Sequence, residues 1–243
     1  MFPIRVFSAL CLFASVAISA LAFADDRATT GTLTSISSSN PQTEAIALLT
    51  RLEKQNEATR TLTGAFDQFR TDGTFGDKVK STGKFWYRAP SSYYAEYETE
   101  HPSKVWSDEK RLVEYIPSMK QVDVIPMDKG EDAMLTQVLL GFGVKVERIL
   151  RLFDVAMVAP TSEDVLSVEF LSKDLDKTLD INRIVVSFDE KTLQPRVIEM
   201  EDSMNTRVIQ LKDVKVNPSI KDSVFEIPKF SPDKVDINGF EYL

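Results

Sequence analysis

From Leu62 onward, apolar and polar residues alternate with a period of two in many short segments. Leu166, Val168 and Phe170 form a clear example. Such alternation is typical of strands with one buried face, and the few residues between segments favour hairpins. The pattern predicts ten or eleven consecutive strands in a mostly antiparallel meander, ending in a short strand at Val224–Ile227 and then loop. A meander of this length closes, or half closes, into a curved sheet.

Helical patterns precede this series of strands and interrupt it once. Thr43 is expected to cap a first helix that runs to about Arg60, with its leucines on one buried face. Residues 131–153 interrupt the strands, beginning with a strongly apolar helical patch and continuing as a second helix from Val144 to Leu152. The apolar patch has two readings, a moving lid or a static core helix, because helical apolar spacing mostly reports packing.

The first 24 residues are typical of a secretory signal peptide. Arg5 provides the positive charge, an apolar run follows, and Ala22-Phe23-Ala24 resembles a cleavage site. Cys11 lies within the apolar run rather than at the cleavage point, so a lipid anchor is not expected. A Ser- and Thr-rich leader should occupy residues 25–42, followed by one domain at residues 43–243.

Composition excludes several classes of function. The formal net charge of −8 provides no basic field for phosphate, so no nucleic-acid partner is expected. One Cys and one His leave no cysteine-type metal site or Cys/His dyad, and we expect no cofactor. His101 precedes Pro102 in a turn, where a catalytic role is not expected. The sequence therefore indicates a binding protein rather than an enzyme.

Five segments follow one another in a distinctive order and spacing. They are Thr63–Gln68 (TGAFDQ), Gly83–Pro90 (GKFWYRAP) with the tyrosines that follow, Trp106–Pro117 (WSDEKRLVEYIP), Ile184–Asp189 (IVVSFD) and Asn217–Phe225 (NPSIKDSVF). Through this order and spacing the chain resembles the LolA family of periplasmic lipoprotein carriers, over roughly residues 44–228.

The resemblance implies a mostly antiparallel α+β fold: an unclosed β-barrel of about eleven strands, with an N-terminal helix and a helical lid over an apolar cavity. It also implies partners. Members of the family take acylated lipoproteins from an inner-membrane ATP-driven complex and pass them to an outer-membrane acceptor, without enzymatic activity. We expect this protein to act as a monomer in the periplasm.

The expected cavity lining contains aromatic and aliphatic side chains of the strands and of the apolar patch: Phe66, Phe85, Tyr97, Trp106, Leu112, Tyr115, Met134, Leu135, Leu139 and Phe142. Because a shift of one residue reverses the face of every side chain in a strand, sequence alone leaves this register open. The resemblance assigns Arg88 and Tyr93 to holding the lid or meeting a partner. Arg88 stands one residue before the position where relatives often have a basic residue, which is Ala89 here, and Ala95 stands where they often have a tryptophan.

Two other functions fit the same barrel. One is an RseB-like sensor that binds a lipid or lipoprotein signal and holds a regulatory partner, although such proteins usually add a second domain. The other is an enzyme, against which the missing nucleophile and base argue.

Overall fold

The computed structural model describes residues 40–74, 76–108, 110–126, 145–160, 162–173 and 181–239. The expected signal peptide and nearly all of the leader lie outside these residues. So does the apolar patch, including Met134, Leu135, Leu139 and Phe142.

The described strands form one sheet of twelve strands, in the order β12-β6-β5-β4-β3-β2-β1-β11-β10-β9-β8-β7. Their bounds are β1 Thr61–Asp72, β2 Lys78–Arg88, β3 Ser92–Glu98, β4 Ser103–Ser107, β5 Arg111–Ile116, β6 Gln121–Pro126, β7 Phe153–Val158, β8 Val165–Ser172, β9 Arg183–Asp189, β10 Pro195–Glu201, β11 Asn205–Val216 and β12 Asp236–Asn238.

Two meanders, β1–β6 and β7–β11, are joined by the central antiparallel pair of β1 and β11. These are the two longest strands, with 12 residues each. The edge strands β7 and β12 stand at opposite ends of the strand order, so the sheet is unclosed. The predicted α+β fold with an open, mostly antiparallel sheet is confirmed.

Two described helices accompany the sheet: α1, Pro41–Asn56, and α2, Val146–Leu152. The predicted first helix is displaced at both ends. Asn40 is the N-cap instead of Thr43, since its Oδ1 accepts the Gln42 N–H at 3.0 Å, and a proline follows it at the first helical position, where its fixed φ is favourable. At the other end, the chain leaves the helix after Asn56 and enters β1.

One face of the sheet, which we call the inner face, carries most of the core. Helix α1 packs its buried residues Ala45, Leu48, Leu49 and Leu52 against the inner face of β7–β10. A second cluster lies on β1–β3 around Phe66 and Phe85. Ile209 and Leu211 of β11 pack against both clusters, so the apolar inner face continues across the central strands.

The C-terminal segment differs from the predicted short strand at Val224–Ile227. A 3-10 turn, Asp222–Val224, stands there instead, and the last strand is β12, which pairs in parallel with β6. The physical reason is burial on the other face, which we call the outer face: Ile227, Phe230 and Val235 cover the valines of β5 and β6. The apolar residues of this segment therefore serve packing between segments rather than strand alternation.

Glu53 joins the two helices. Its carboxylate forms an ion pair with the Lys145 ammonium at 2.8 Å. It also accepts a hydrogen bond of 3.0 Å from the N–H of Val146, the first residue of α2. The Lys145 hydrogen bond, followed by that of Val146, lowers the pKa of Glu53. A carboxylate whose pKa is lower in the folded state stabilises the fold above its unfolded-state pKa, and this contribution is lost as the pH falls through the folded-state value.

We therefore expect Glu53→Gln to destabilise the protein by about 1 kcal/mol at pH 7, the usual scale of a lost helix cap. The difference from wild type should shrink in urea denaturation as the pH falls below about 4. Glu57→Gln is the control, because Glu57 is more exposed and stands 3.7 Å from Lys145. An equal loss of unfolding free energy at pH 7 and in acid would contradict a stabilising role of the ionised Glu53 carboxylate.

Candidate functional site

The inner face of β1, β2 and β3 forms an aromatic floor, which we define as Phe66, Phe85, Tyr87, Tyr93 and Tyr97. The strand register brings these rings to one side of the sheet, since Tyr87 pairs with Tyr93 and the other three alternate with them. Phe66, Phe85 and Tyr87 are buried, whereas Tyr93 and Tyr97 are half-buried and pack against them. The floor is thus a continuous apolar surface with two partly accessible rings.

Two glycines on the same face allow these rings to lie flat. Gly64 stands in register with Phe85, and a Cβ on it would come within 2.7 Å of the Phe85 ring. Gly83 stands in register with Phe66, and a Cβ there would lie 2.8 Å from Phe66 Cε1 and would also overlap the Glu96 carbonyl oxygen. Each phenylalanine therefore covers the glycine of the neighbouring strand, which keeps the floor smooth.

Tyr87 and Tyr93 of the floor are neutral at physiological pH. Burial, followed by the neighbouring Tyr97, raises the pKa of Tyr93 well above its usual value, and burial also raises the pKa of Tyr87. The Tyr87 hydroxyl donates to the Pro90 carbonyl oxygen at 3.1 Å, and the rings of Phe66 and Tyr97 meet edge-on with centroids 5.0 Å apart. The floor therefore offers aromatic surface without negative charge.

The inner face continues from the floor to β5. Leu112 lies on this face through its pairing with Ser107, and Glu114 follows two residues later. Burial raises the pKa of Glu114 to about 7, against the opposing effect of a hydrogen bond with Ser103, and the negative charge of Asp123 raises it further. Asp123, in register with Glu114, is held by Gln121 at 2.8 Å and by Asn238 at 2.6 Å. Glu114 is thus a carboxyl group that changes charge near neutrality.

Two residues expected in the same lining lie on the outer face. Trp106 stacks on Tyr94 with centroids 5.1 Å apart, and Tyr94 stacks on Trp86 at 5.3 Å. Tyr115 packs on Phe230 of the C-terminal segment at 5.2 Å. The structure therefore brings Phe66, Phe85, Tyr97 and Leu112 to one face and places Trp106 and Tyr115 on the other, because side chains alternate along each strand.

The two residues matched to lid-holding positions also separate. Tyr93 belongs to the aromatic floor. Arg88 follows Tyr87 on the opposite side of β2, donates to Asp222 at 2.5 Å and stands 4.5 Å above the Phe225 ring. Its described contacts therefore fasten the C-terminal 3-10 turn to the sheet.

Sequence reasoning missed several residues of this face. Tyr87 is absent from the expected lining, although it shares the alternation of Phe85. Glu114 could have been found as a lone acid in phase with Leu112 in a strand that is otherwise apolar on that side. Gly64 and Gly83 carry a signal as well, since a glycine within a strand often marks a close approach.

Three further features of the described part of the chain concern membrane spans, metal sites and clefts. No described helix has the length and apolar character needed to cross a bilayer. Nor do the described residues gather three or more His, Cys, Asp or Glu side chains in a way that could hold a metal ion. A cleft of about 550 Å³ beside β12 is lined by Met119, Lys120 and the C-terminal segment, and it contains none of the floor residues.

Comparison with known proteins gives the following similarities. An uncharacterised conserved protein from Thermus thermophilus is similar in structure with a TM-score of 0.49 and 9% identity, over 80% of this chain and 98% of its own. A putative outer membrane lipoprotein-sorting protein domain from Vibrio parahaemolyticus is similar with a TM-score of 0.43 and 10% identity, over 76% of this chain and 97% of its own. A chain of the Pseudomonas aeruginosa MucA/MucB complex is similar with a TM-score of 0.42 and 12% identity, over 76% of this chain and 61% of its own.

No curated protein matches the sequence. A family model does match, over residues 57–228, and its description is the outer membrane lipoprotein carrier protein LolA. The matched range includes every described strand from β1 to β11 and the whole aromatic floor. This chain belongs to the LolA family.

Proposed function

We propose that this protein binds the acyl chains of lipoproteins on the inner face of its sheet and carries them through the periplasm, from the inner to the outer membrane. The observation that carries the proposal is the aromatic floor, which continues through Ile209 and Leu211 into the core beneath α1. The carrier proteins of the family to which the chain belongs support the same function.

The energetics of acyl chains favour such a surface. Each buried methylene contributes about 0.8 kcal/mol, so ten methylenes contribute about 8 kcal/mol against exposure to water. A carrier must compete with the bilayer without trapping its cargo. An unclosed sheet with half-buried rings such as Tyr93 and Tyr97 suits that requirement, because part of each ring is accessible to a ligand from solvent.

The apolar patch that includes Met134, Leu135, Leu139 and Phe142 is proposed as the cover of this face. In the empty protein its side chains would occupy the floor, and acyl chains would replace them on loading. The acyl chains would then bury about as much apolar surface on the floor as the patch gives up, which keeps the net free energy of loading small and permits release. The proposed donor of the cargo is an inner-membrane ATP-driven complex, and the proposed recipient is an outer-membrane acceptor.

A pair of half-buried aromatic residues on opposite faces tests the proposal. Tyr97→Ser removes a ring of the inner face, and Trp86→Ser removes one of the outer face from the neighbouring strand. We expect Tyr97→Ser to weaken the binding of a fluorescent diacylglyceryl lipopeptide about tenfold, which corresponds to the transfer of a partly buried side chain. Trp86→Ser should leave the affinity within about twofold of wild type.

Thermal denaturation of both variants serves as the control for folding. Equal weakening by both substitutions, or none by either, would refute binding on the inner face. Co-purification with a specific transmembrane protein and no lipid would favour a regulatory binding protein instead of a carrier.

A further inference from the structure

Two arginines and a glutamine lie side by side on the inner face, near the hairpin turns that end β1 and begin β11. Arg70 stands directly opposite Arg207 in register, and Gln68 stands opposite Ile209. Because side chains alternate along a strand, Gln68 and Arg70 share the face of Phe66. We call these three polar residues the arginine end of the floor.

Two atoms of the arginine end are buried without a partner. Arg207 is 2% exposed, and its Nη2 donates to Asp202 Oδ2 at 2.9 Å, but its Nε is buried with no hydrogen-bond partner. Gln68 is 6% exposed, and its Oε1 is buried and unpaired in the same way. Unsatisfied buried polar atoms are rare and costly, and each calls for an explanation.

Two carboxylates lie at the hairpin turns of this end, and one of them, Asp202, is shared between its turn and Arg207. Asp202 Oδ1 accepts the N–H groups of Met204 at 2.8 Å and Asn205 at 2.7 Å. Asp72 Oδ1 accepts the N–H of Thr74 at 2.8 Å. Asp202 therefore compensates the charge of Arg207 in a buried ion pair. The described ion pairs contain none for Arg70, whose like charge stands opposite Arg207 and favours an added anion.

The surroundings of the arginine end are apolar. Met200, in register with Arg207 on its other side, is 2% exposed, and Ile209 continues the floor toward Phe66. A long apolar surface that ends in two guanidinium groups matches the shape of an amphiphile. The planar guanidinium fork binds carboxylate and phosphate oxygens particularly well.

We propose that Arg70, Arg207 and Gln68 bind the anionic oxygen head group, a carboxylate or a phosphate, of an acylated lipid whose chain lies along the aromatic floor. The guanidinium groups donate to the anion, and Gln68 Oε1 accepts a hydroxyl of the head group. The inference rests on the proposed function only for the placement of the acyl chain on the inner face.

The test compares three oleoyl probes below their micelle concentrations with the whole protein: oleate, oleoyl lysophosphatidate and the neutral monoolein. We expect at least one ionised probe to bind about tenfold more tightly than monoolein, as expected for a charge-assisted hydrogen bond. Arg70→Met should abolish this preference. Lys84→Met, which removes a positive charge from the outer face of β2, should preserve it.

Salt gives a second readout that needs no variant, because the preference of the wild-type protein for the ionised probe should decline in about 0.5 M NaCl. The stronger of the two ionised probes distinguishes a carboxylate from a phosphate. Equal binding of all three probes, or a preference that survives Arg70→Met, would overturn the head-group site and leave the proposed function standing. Failure of every probe to bind would count against the proposed function itself.

Discussion

Gly83→Ala should destabilise the protein by about 2–3 kcal/mol, the cost of forcing extra volume into a packed region. The added methyl group would overlap the Glu96 carbonyl oxygen, which belongs to the paired strand β3 and cannot move without breaking the ladder. It would also displace the ring of Phe66, which covers Gly83. Urea denaturation of the variant measures the loss as a lower midpoint with an unchanged slope.

Ser81→Ala is the matched control for this substitution. Ser81 lies two residues earlier on the same face of β2, in register with Gln68, and already carries a Cβ. We expect that variant to stay within about 0.5 kcal/mol of wild type. A Gly83→Ala variant as stable as the control would mean that Phe66 does not lie over the glycine, and the floor would lose its flat geometry.

Glu114→Gln should make the protein more stable than wild type at pH 8, and the two should converge at pH 5. Burial raises the pKa of Glu114 to about 7 in the folded state, above the ordinary value of 4.5. A group whose pKa is raised by folding contributes stability that is fully present below its unfolded-state pKa. That contribution is lost as the pH rises through the folded-state value.

For wild type we expect a decline in the free energy of unfolding of about 2 kcal/mol between pH 5 and pH 8, allowing for partial exposure of the carboxyl group. The glutamine variant retains an acceptor for Ser103 and should lack this decline. Glu98→Gln, which removes an exposed carboxylate from β3, should keep the wild-type profile. Parallel profiles for wild type and Glu114→Gln would show that Glu114 ionises freely in the folded protein.

Most of the sheet could be predicted from the sequence because alternation and short turns are local signals. The segment Arg111–Ile116, for example, is bounded by the turn in which Asp108 Oδ1 accepts the N–H groups of Lys110 and Arg111. The C-terminal segment could not be predicted in this way. Phe230 and Val235 are partly buried against the valine cluster of β5 and β6, more than a hundred residues earlier, and no local pattern reports that contact.

The candidate site was predictable in its residue types but not in its faces. Phe85 and Trp86 are adjacent aromatic residues, and sequence alone does not show which of them faces the inside of the sheet. The pairing of β2 with β1 places Phe85 on the inner face and Trp86 on the outer face. The size of Trp106 favours a place in the lining, whereas its neighbour Val105 occupies the inner face in register with Ala95. Which face is buried depends on α1 and the C-terminal segment, so it becomes visible only in the assembled fold.

Photo-crosslinking in living cells tests the central claim most directly. Benzoylphenylalanine replaces Tyr97 in one variant and Trp86 in another, the cells are irradiated, and adducts of the purified protein are identified by mass spectrometry. The account predicts acylated lipoprotein attached at position 97 and none at position 86. Adducts of equal yield at both positions, or no lipoprotein adduct at position 97, would contradict it.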